Sequence, residues 1–273
     1  MNDATSQHGN ADPQEDQERP RPRRGIYLLP NLFTTAGLFA GFYSIVAAMA
    51  GRYEAAAIAI FVAMIMDGLD GRVARLTNTV SDFGKEYDSL ADMVSFGLAP
   101  ALVMYQWGFQ GLAAYGWLWA KLGWIGAFFY SVAAALRLAR FNTRTRVVDK
   151  RFFQGLPSPS AAGLVAGTVW LGPDFGLPGG DLIIPAYVIT VAAGALMVSN
   201  IKYYSFKDVN LRGKVPFAYV LPIPLLFMLV AVSPAKVLFG VFFLYTLQGP
   251  VLAVIRWRRR RRVQRAAERQ GRE

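Results

Sequence analysis

Long apolar stretches separated by short polar segments dominate this sequence. A helix needs about 20 apolar residues to cross the roughly 30 Å of hydrocarbon in a bilayer. Because only helices and closed barrels satisfy their backbone hydrogen bonds in lipid, the pattern predicts an all-α polytopic membrane protein. About eight such stretches occur beyond Gly25, at approximately residues 30–50, 54–75, 89–107, 115–138, 158–172, 183–200, 215–232 and 235–255.

Composition narrows the class of protein and the kind of metal site. Of the 273 residues, 54% are hydrophobic, which is too apolar for an ordinary soluble domain of this length. The net charge of +11 is segregated into tails and loops, so we expect no nucleic acid partner. The chain has no cysteine, and its one histidine, His8, lies in a polar tail. Any metal is therefore expected to have oxygen ligands, which favours Mg²⁺ or Mn²⁺ over zinc.

Three regions follow from the hydropathy pattern. Residues 1–24 are polar, and we expect them to form a disordered cytoplasmic tail. We expect residues 25–256 to form a transmembrane catalytic domain and residues 257–273 to form a basic cytoplasmic tail. No short apolar segment with a small-residue cleavage site indicates a secretory signal. The arginine run that begins at Arg256 is explained either by topological anchoring or by binding of anionic lipid head groups.

The distribution of lysine and arginine predicts the orientation. In an eight-span arrangement that starts inside, Arg52, Lys121 and Lys236 fall on the outer side, and the other 26 of the 29 basic residues (29 − 3) fall on the inner side. The positive-inside rule then places both termini, and the connection between the second and third spans, in the cytoplasm, with the protein in the cell inner membrane.

Four aspartates flank that cytoplasmic connection. Asp67 and Asp70 are three residues apart, and Asp88 and Asp92 are four apart, so each pair lies on one face of its helix. If the two helices are antiparallel neighbours, the pairs can converge. Acids near hydrocarbon are costly and repel one another, so the cluster indicates a site for one or two divalent cations, which would also attract a diphosphate.

Small residues accompany the acids. Gly68, Gly71 and Ala74 would let a ligand approach the helix backbone closely, and Arg75 follows on the same face, where it can meet a phosphate. Arg75 has a second interpretation, as a positive-inside anchor. The alternative for the whole segment is a helix hairpin in which the acids form salt bridges with nearby cationic side chains, namely those of Arg72, Arg75 and Lys85.

The segment from Asp67 to Asp92 resembles the CDP-alcohol phosphatidyltransferase family. The family pattern is D-x-x-D-G-x-x-A-R, eight residues, then G-x-x-x-D-x-x-x-D, and every fixed position is met. The matching residues are Asp67, Asp70, Gly71, Ala74, Arg75, Gly84, Asp88 and Asp92. Eight fixed positions at fixed spacing make the match highly specific.

This resemblance implies a fold, an assembly and roles for individual residues. We expect a six-helix membrane core, about two additional C-terminal transmembrane helices, and a homodimer. The resemblance makes Asp67, Asp70 and Asp88 metal ligands and gives Asp92 both metal contact and the catalytic role. It implies that the nucleotide and diphosphate lie along Asp67, Gly71, Ala74, Arg75 and Gly84. The segment LLPNLFTTAG looks like the family's N-terminal motif, which adds Asn31, and with it Thr34, to the nucleotide site; helix capping is the alternative role of Asn31.

Two later segments bear on the acceptor alcohol. LRLARFNT, residues 136–143, and FFQGLPSPSAAG, residues 152–163, are similar to the phosphatidylserine synthase branch of the family. Serine carries a carboxylate, so its pocket needs a cation, which Arg137 or Arg140 could supply beside Ser158. Both arginines could instead be anchors at the membrane surface.

The expected reaction is transfer of a phosphatidyl group from CDP-diacylglycerol to L-serine, with Asp92 as the base and membrane lipid as the medium. Direct displacement is favoured, and an aspartyl intermediate stays open. The alternatives are the same chemistry with glycerol 3-phosphate, inositol phosphate or choline, a metal-ion or solute transporter, and a lipid-binding scaffold.

Overall fold

The computed structural model describes residues 28–143, 152–174, 176, 182–204 and 222–270. The predicted tail at residues 1–24 and the last residues, 271–273, lie outside the described residues. The predicted boundary before residue 257 falls inside a helix that runs on to Gln270.

Helices form nearly all of the described structure, which confirms the all-α prediction. The N-terminal helices are α1 (Leu28–Met49), α2 (Tyr53–Leu76), α3 (Asp82–Asp92), α4 (Ala99–Trp107) and α5 (Trp117–Thr143). A π-helical segment (Met93–Leu98) joins α3 to α4, and a 3₁₀ segment (Phe109–Tyr115) precedes α5. The remaining helices are α6 (Ser158–Asp174), α7 (Ile183–Val198), α8 (Pro222–Val232) and α9 (Pro234–Gln270). Two three-residue strands, β1 (Phe152–Gln154) and β2 (Lys202–Tyr204), pair antiparallel.

Each of the eight predicted apolar stretches contains a helix, but the helices are not equivalent. Among the described residues, three are long and apolar enough to cross a membrane by themselves: Leu29–Met49, Trp117–Thr143 and Pro234–Arg259. Helix α2 is long enough but carries the site's charged residues. Helices α6 and α7 are 17 and 16 residues long, shorter than an average span. The third stretch is an α–π–α run rather than one helix.

Helix α6 lies at the centre of the bundle, although its short, glycine-containing stretch is the least typical span in the sequence. It packs against α2 and α9. A side chain at Gly163 would lie 2.8 Å from the ring of Phe242, and one at Gly167 would lie 3.1 Å from the Cα of Phe239. The glycines therefore let α9 approach closely, and most of α6 is buried among protein rather than lipid.

The turn between α2 and α3 is set by local backbone chemistry. Asn78 adopts a left-handed conformation with φ of 52°, and the Thr79 N–H donates to the Ala74 carbonyl at 3.0 Å. This is a Schellman-type helix end. The Ser81 side chain then accepts from the Gly84 N–H at 3.0 Å and caps α3. The chain thus reverses within five residues between two helices that both carry acids.

Contacts between helix ends show which ends share a side of the bundle. The Asn142 side chain, at the end of α5, donates at 3.0 Å to Ser89 Oγ in the second half of α3, about two turns from the α2–α3 turn. At the other end, Trp170 Nε1 donates to Glu54 Oε1 at 3.3 Å. The α2–α3 turn and the end of α5 therefore lie on one side, and the beginning of α2 and the end of α6 on the other.

Helix α1 approaches the π-helical segment closely because it presents glycines there. Ser95 Oγ donates to the Gly37 carbonyl at 3.1 Å, and a side chain at Gly41 would lie 2.5 Å from the same hydroxyl oxygen. The Tyr130 hydroxyl on α5 donates to the Phe96 carbonyl at 3.2 Å. Contacts from both neighbours therefore fix the π segment, which begins directly after Asp92.

We expect Gly41→Ala to destabilise the protein by about 1–3 kcal/mol, because the new methyl group would push α1 away from Ser95. The measurement is thermal unfolding in detergent. Gly240→Ala on α9 is the matched control, since a side chain there would meet nothing within 4 Å and would only improve helix propensity. Equal melting temperatures for the two variants would contradict the close approach.

Candidate active site

The four aspartates line one small cavity, called the acid cavity below. Side-chain oxygens of Asp67, Asp70 and Asp88 all lie within 4.8 Å of one another. Asp92 joins them in the cavity wall. The cavity has a volume of about 10 Å³, which is room for roughly one water-sized species. The pair on α2 and the pair on α3 therefore do converge, as expected for antiparallel neighbouring helices.

The convergence depends on α1 as well as on α2 and α3. Helix α1 packs against both of the other two. Thr34 Oγ1 donates to Asp70 Oδ2 at 2.8 Å, and both residues are only 5% exposed. Since an ionised carboxylate has no proton to donate, the hydroxyl is the donor and fixes the orientation of Asp70. Gly37 and Ala63 complete this part of the wall and leave the acids room.

A buried cation faces the cluster. Arg137, on α5, interacts electrostatically with Asp92. Its Nη1 donates to Ser158 Oγ at 2.7 Å, and Ser158 is only 1% exposed. Its Nε is buried and has no hydrogen-bond partner among the described residues. A buried donor on a cation is costly to leave unpaired, so this guanidinium is suited to an anionic ligand.

The donor set fits a hard divalent cation. Three carboxylates contribute oxygens within 4.8 Å of one another, and this site has no nitrogen or sulfur ligand among its described lining residues. Oxygen-only ligands suit Mg²⁺, Mn²⁺ or Ca²⁺. Without a cation, Asp67, Asp88 and Asp70 would all repel Asp92 across a poorly hydrated interior.

The salt-bridged hairpin that the sequence left open does not form. Lys85 pairs with Asp82 at 3.0 Å, and the Asp82 side chain is fully exposed. Within the described residues, no ion pair joins Arg72, Arg75 or Lys85 to the four site aspartates.

The predicted nucleotide residues lie around the same helix ends. A side chain at Gly84 would lie 3.6 Å from Asn31 Oδ1, so the beginnings of α1 and α3 adjoin. The Arg75 guanidinium lies over Gly71, with Nη1 3.8 Å from where a side chain there would begin. Gly68 faces open space, and Ala74 is half-buried. This surface leaves α2 backbone accessible beside an exposed arginine.

The two arginines proposed for the acceptor have different hydrogen-bond partners. Arg137 interacts electrostatically with Asp92 and donates to Ser158. Arg140 instead donates to the Gln154 and Asn200 side chains and to the Val198 and Ser199 carbonyls. These contacts tie the end of α7 to β1. We therefore assign Arg140 a structural contact and leave it out of the acceptor site.

Ser95 is a site residue that the motif did not indicate. It lines the acid cavity, and the next residue, Phe96, accepts a hydrogen bond from the fully buried Tyr130. Ser95 could have been noticed as a polar residue within the apolar run MVSFGL. It lies seven residues after Asp88 and three after Asp92, so the helical spacing that groups the two acids also indicates Ser95.

Comparison with known proteins bears on the class of this site. The family model described as CDP-alcohol phosphatidyltransferase matches residues 27–201. That range includes α1 to α7 and all four aspartates, and α8 and α9 lie beyond it.

Curated relatives carry consistent names. The chain is similar to the Helicobacter pylori CDP-diacylglycerol–serine O-phosphatidyltransferase, at 39% identity over 236 residues, or 86% of this chain and 93% of the relative. It is 40% identical over 165 residues to the Mycobacterium leprae protein of the same name, covering 58% of this chain and 52% of the relative. The archaetidylserine synthase of Methanothermobacter thermautotrophicus is 34% identical over 177 residues, or 64% of this chain and 69% of the relative. The resemblance seen in the aspartate motif is thus confirmed, and the chain belongs to the CDP-alcohol phosphatidyltransferase family.

Proposed function

We propose that this protein transfers the phosphatidyl group of CDP-diacylglycerol to the hydroxyl of L-serine, which yields phosphatidylserine and CMP. The observation that carries the proposal is the convergence of four carboxylates in one cavity beside the buried, incompletely paired Arg137. The relatives' names support serine in particular. Some names refer to CDP-diacylglycerol and one refers to an archaetidyl lipid, yet each name specifies serine.

Asp67, Asp70 and Asp88 would hold the divalent metal, with Asp92 as the fourth ligand. When bound, Mg²⁺ or Mn²⁺ would neutralise the diphosphate and stabilise the departing CMP. Thr34 keeps Asp70 oriented for this task through its 2.8 Å hydrogen bond. The nucleotide would lie over the accessible backbone near Gly71.

The other nucleotide contacts come from the beginnings and ends of α1 to α3. Arg75, exposed at the end of α2, can contact a phosphate, and Ala74 and Gly84 leave space for the nucleotide. Asn31, beside Gly84, offers an amide that can bind polar edges of the base or the ribose. Asp67 would then contribute to both the metal and the nucleotide sites.

Arg137 and Ser158 would bind the serine. A guanidinium forms strong paired hydrogen bonds with a carboxylate, and the Nε–H of Arg137 is available to donate one of them. The contact with Ser158 holds the guanidinium in place from the beginning of α6. Serine bound there would lie beside Asp92, the acid on which Arg137 acts.

The chemical step is a displacement at phosphorus. Asp92 takes the proton of the serine hydroxyl, the serine oxygen forms a bond to the phosphatidyl phosphorus, and the bond from phosphorus to the CMP oxygen breaks. Positioning and charge stabilisation supply most of the acceleration in such transfers. Direct displacement is favoured over a covalent enzyme intermediate. Asp92 lines the same cavity as the metal ligands and interacts electrostatically with Arg137, so it can serve as the base for bound serine.

The proposal extends to assembly and location. We place the protein in the cell inner membrane with both termini and the acid cavity toward the cytoplasm, because 26 of 29 basic residues fit that side. The opposite-side residues Arg52 and Lys121 lie at the α1–α2 turn and in the first turns of α5, consistent with that arrangement. A homodimer is proposed on the family resemblance.

The test of the reaction is an acceptor assay. Purified protein in detergent with Mg²⁺ or Mn²⁺ should release CMP from CDP-diacylglycerol when L-serine is added, measured together with the lipid product. Glycerol 3-phosphate, inositol phosphate and choline should give little release. Turnover in detergent, where no gradient exists, would also exclude transport as the sole activity.

The variant Asp92→Asn shows whether that turnover belongs to this site. Removing the base should lower kcat by about 10²–10⁴-fold with an unchanged melting temperature. Release of CMP with another alcohol but not serine would overturn the acceptor assignment. Full turnover by Asp92→Asn would overturn the mechanism.

We expect Asp88→Asn to weaken Mn²⁺ binding by at least about tenfold, because it removes an anionic ligand from the cluster. Binding is measured from the electron paramagnetic resonance signal of free Mn²⁺, without any turnover. Asp82→Asn is the matched control on the same helix, since Asp82 is fully exposed and paired with Lys85. If both variants bound Mn²⁺ equally well, the cluster would not be the metal site.

We expect Arg137→Lys to raise the KM for serine by roughly tenfold or more, because lysine keeps the charge but loses the planar pair of donors. The KM for CDP-diacylglycerol should change little. Arg140→Lys is the comparison: it should lower the melting temperature, since one ammonium cannot reach all four acceptors of the guanidinium, and should leave the serine KM near the wild-type value. A serine KM that moved only in the Arg140 variant would reverse the assignment.

A further inference from the structure

An apolar groove runs along the outer surface of the α1–α2 pair. Its volume is about 710 Å³, within the usual range for small-molecule pockets. Its floor consists of alanines, Ala36 and Ala40 on α1 and Ala55 and Ala59 on α2. Within the described part of the chain, none of its lining residues carries a charge. The groove therefore suits a hydrocarbon chain and excludes a nucleotide.

The groove and the acid cavity adjoin. Thr35 and Met66 line the groove, and their chain neighbours Thr34 and Asp67 line the acid cavity. The two helices touch between the sites, where a side chain at Gly37 would lie 3.4 Å from Met66 Cβ. A ligand that occupied both would have its polar group at the acids and its apolar part along the groove.

The end of the groove near the acids is polar. The hydroxyl groups of Thr35 and Tyr87 hydrogen-bond at 2.9 Å, and Tyr87 is on α3, whose Asp88 is the next residue. Hydroxyls at this end and alanines beyond it match an amphiphile whose ester groups precede its hydrocarbon.

The length of the groove matches one leaflet of a bilayer. On α1 its lining extends from Leu32 to Tyr43, and on α2 from Ala55 to Met66. At 1.5 Å per residue, each wall is about 16 Å long. Half of a bilayer's hydrocarbon thickness is about 15 Å.

We propose that this groove binds one acyl chain of the lipid-linked nucleotide and thereby positions its phosphorus at the acid cavity. The inference rests on the proposed function, because it assigns a chain-binding site to the same donor. A chain already in lipid gains little hydrophobic free energy by entering the groove. The groove therefore acts through packing and orientation, so its loss should affect turnover of long-chain donors more than protein stability.

The first test compares donors of different chain length. Dioleoyl and dihexanoyl CDP-diacylglycerol are each assayed in detergent micelles with the full-length protein, and the ratio of their kcat/KM values is taken. Ala55→Trp, at the end of the groove distant from the acids, and Ile58→Trp, in its wall, should each lower the dioleoyl-to-dihexanoyl ratio about tenfold. Retained turnover of the dihexanoyl donor shows that each variant is folded.

Val46→Trp is the matched control. Val46 is exposed on α1 and does not line the groove, so the same indole there should leave the ratio unchanged. An unchanged ratio in both groove variants, or an equal fall in the control, would overturn the proposal. A shift in oligomeric state without a change in the ratio would also overturn it, and would make the groove an interface between copies of this chain.

A second test needs no turnover. The chain has no cysteine, so Ile58→Cys introduces a single thiol in the groove wall. Dioleoyl CDP-diacylglycerol should slow labelling of this thiol by a maleimide severalfold, whereas CDP should not. If the protein releases CMP but the lipid does not slow labelling of the thiol, the groove proposal is wrong and the proposed function stands. If the lipid slows labelling but no acceptor supports turnover, the proposed function is wrong and the acyl-chain site stands.

Discussion

Mutual repulsion among four carboxylates is the constraint on which the rest of this structure depends. In a membrane bundle these charges have little water to screen them, so each needs a counter-charge or a hydrogen-bond donor. The protein supplies part of this through Thr34, which donates to Asp70, and through Arg137, which faces Asp92. We propose that a divalent cation supplies the remaining counter-charge, since no ion pair joins a lysine or arginine to the four acids within the described residues.

Holding the acids together requires close helix packing at several points. The left-handed Asn78 and the Ser81 cap reverse the chain between α2 and α3. Gly37 and Gly41 then let α1 approach the π segment that follows Asp92. Asp92 and Ser95, three residues apart across the start of the π segment, both line the acid cavity. The cavity thus depends on helical spacing within α2 and α3 and on the close contacts that bring the helices together.

The sequence predicted the parts of this site that depend on local spacing. The pairs Asp67–Asp70 and Asp88–Asp92 were identifiable because helical periodicity places each pair on one face. The fold class followed from apolar stretches of bilayer length. The π segment, the different partners of Arg137 and Arg140, and the burial of α6 within the bundle were not predictable in this way. Each depends on contacts between residues distant in sequence, such as those of Arg140 with the end of α7.

In the proposed function, the two substrates contact different helices. Residues proposed for the nucleotide and its acyl chain come from α1, α2 and α3, whereas Arg137 and Ser158 come from α5 and α6. Displacement at phosphorus needs the attacking and leaving oxygens roughly in line. If CDP-diacylglycerol contacts one set of helices and serine contacts Arg137 on another, the two oxygens can approach phosphorus from opposite sides. Neither substrate then has to pass through the other's site. The lipid groove adds a third restraint, since it would fix the one part of the donor that never leaves the membrane. Chemistry at a lipid surface then depends on orientation, and in this proposal α1, α2 and α3 would hold the metal, the nucleotide and the hydrocarbon in fixed relative positions.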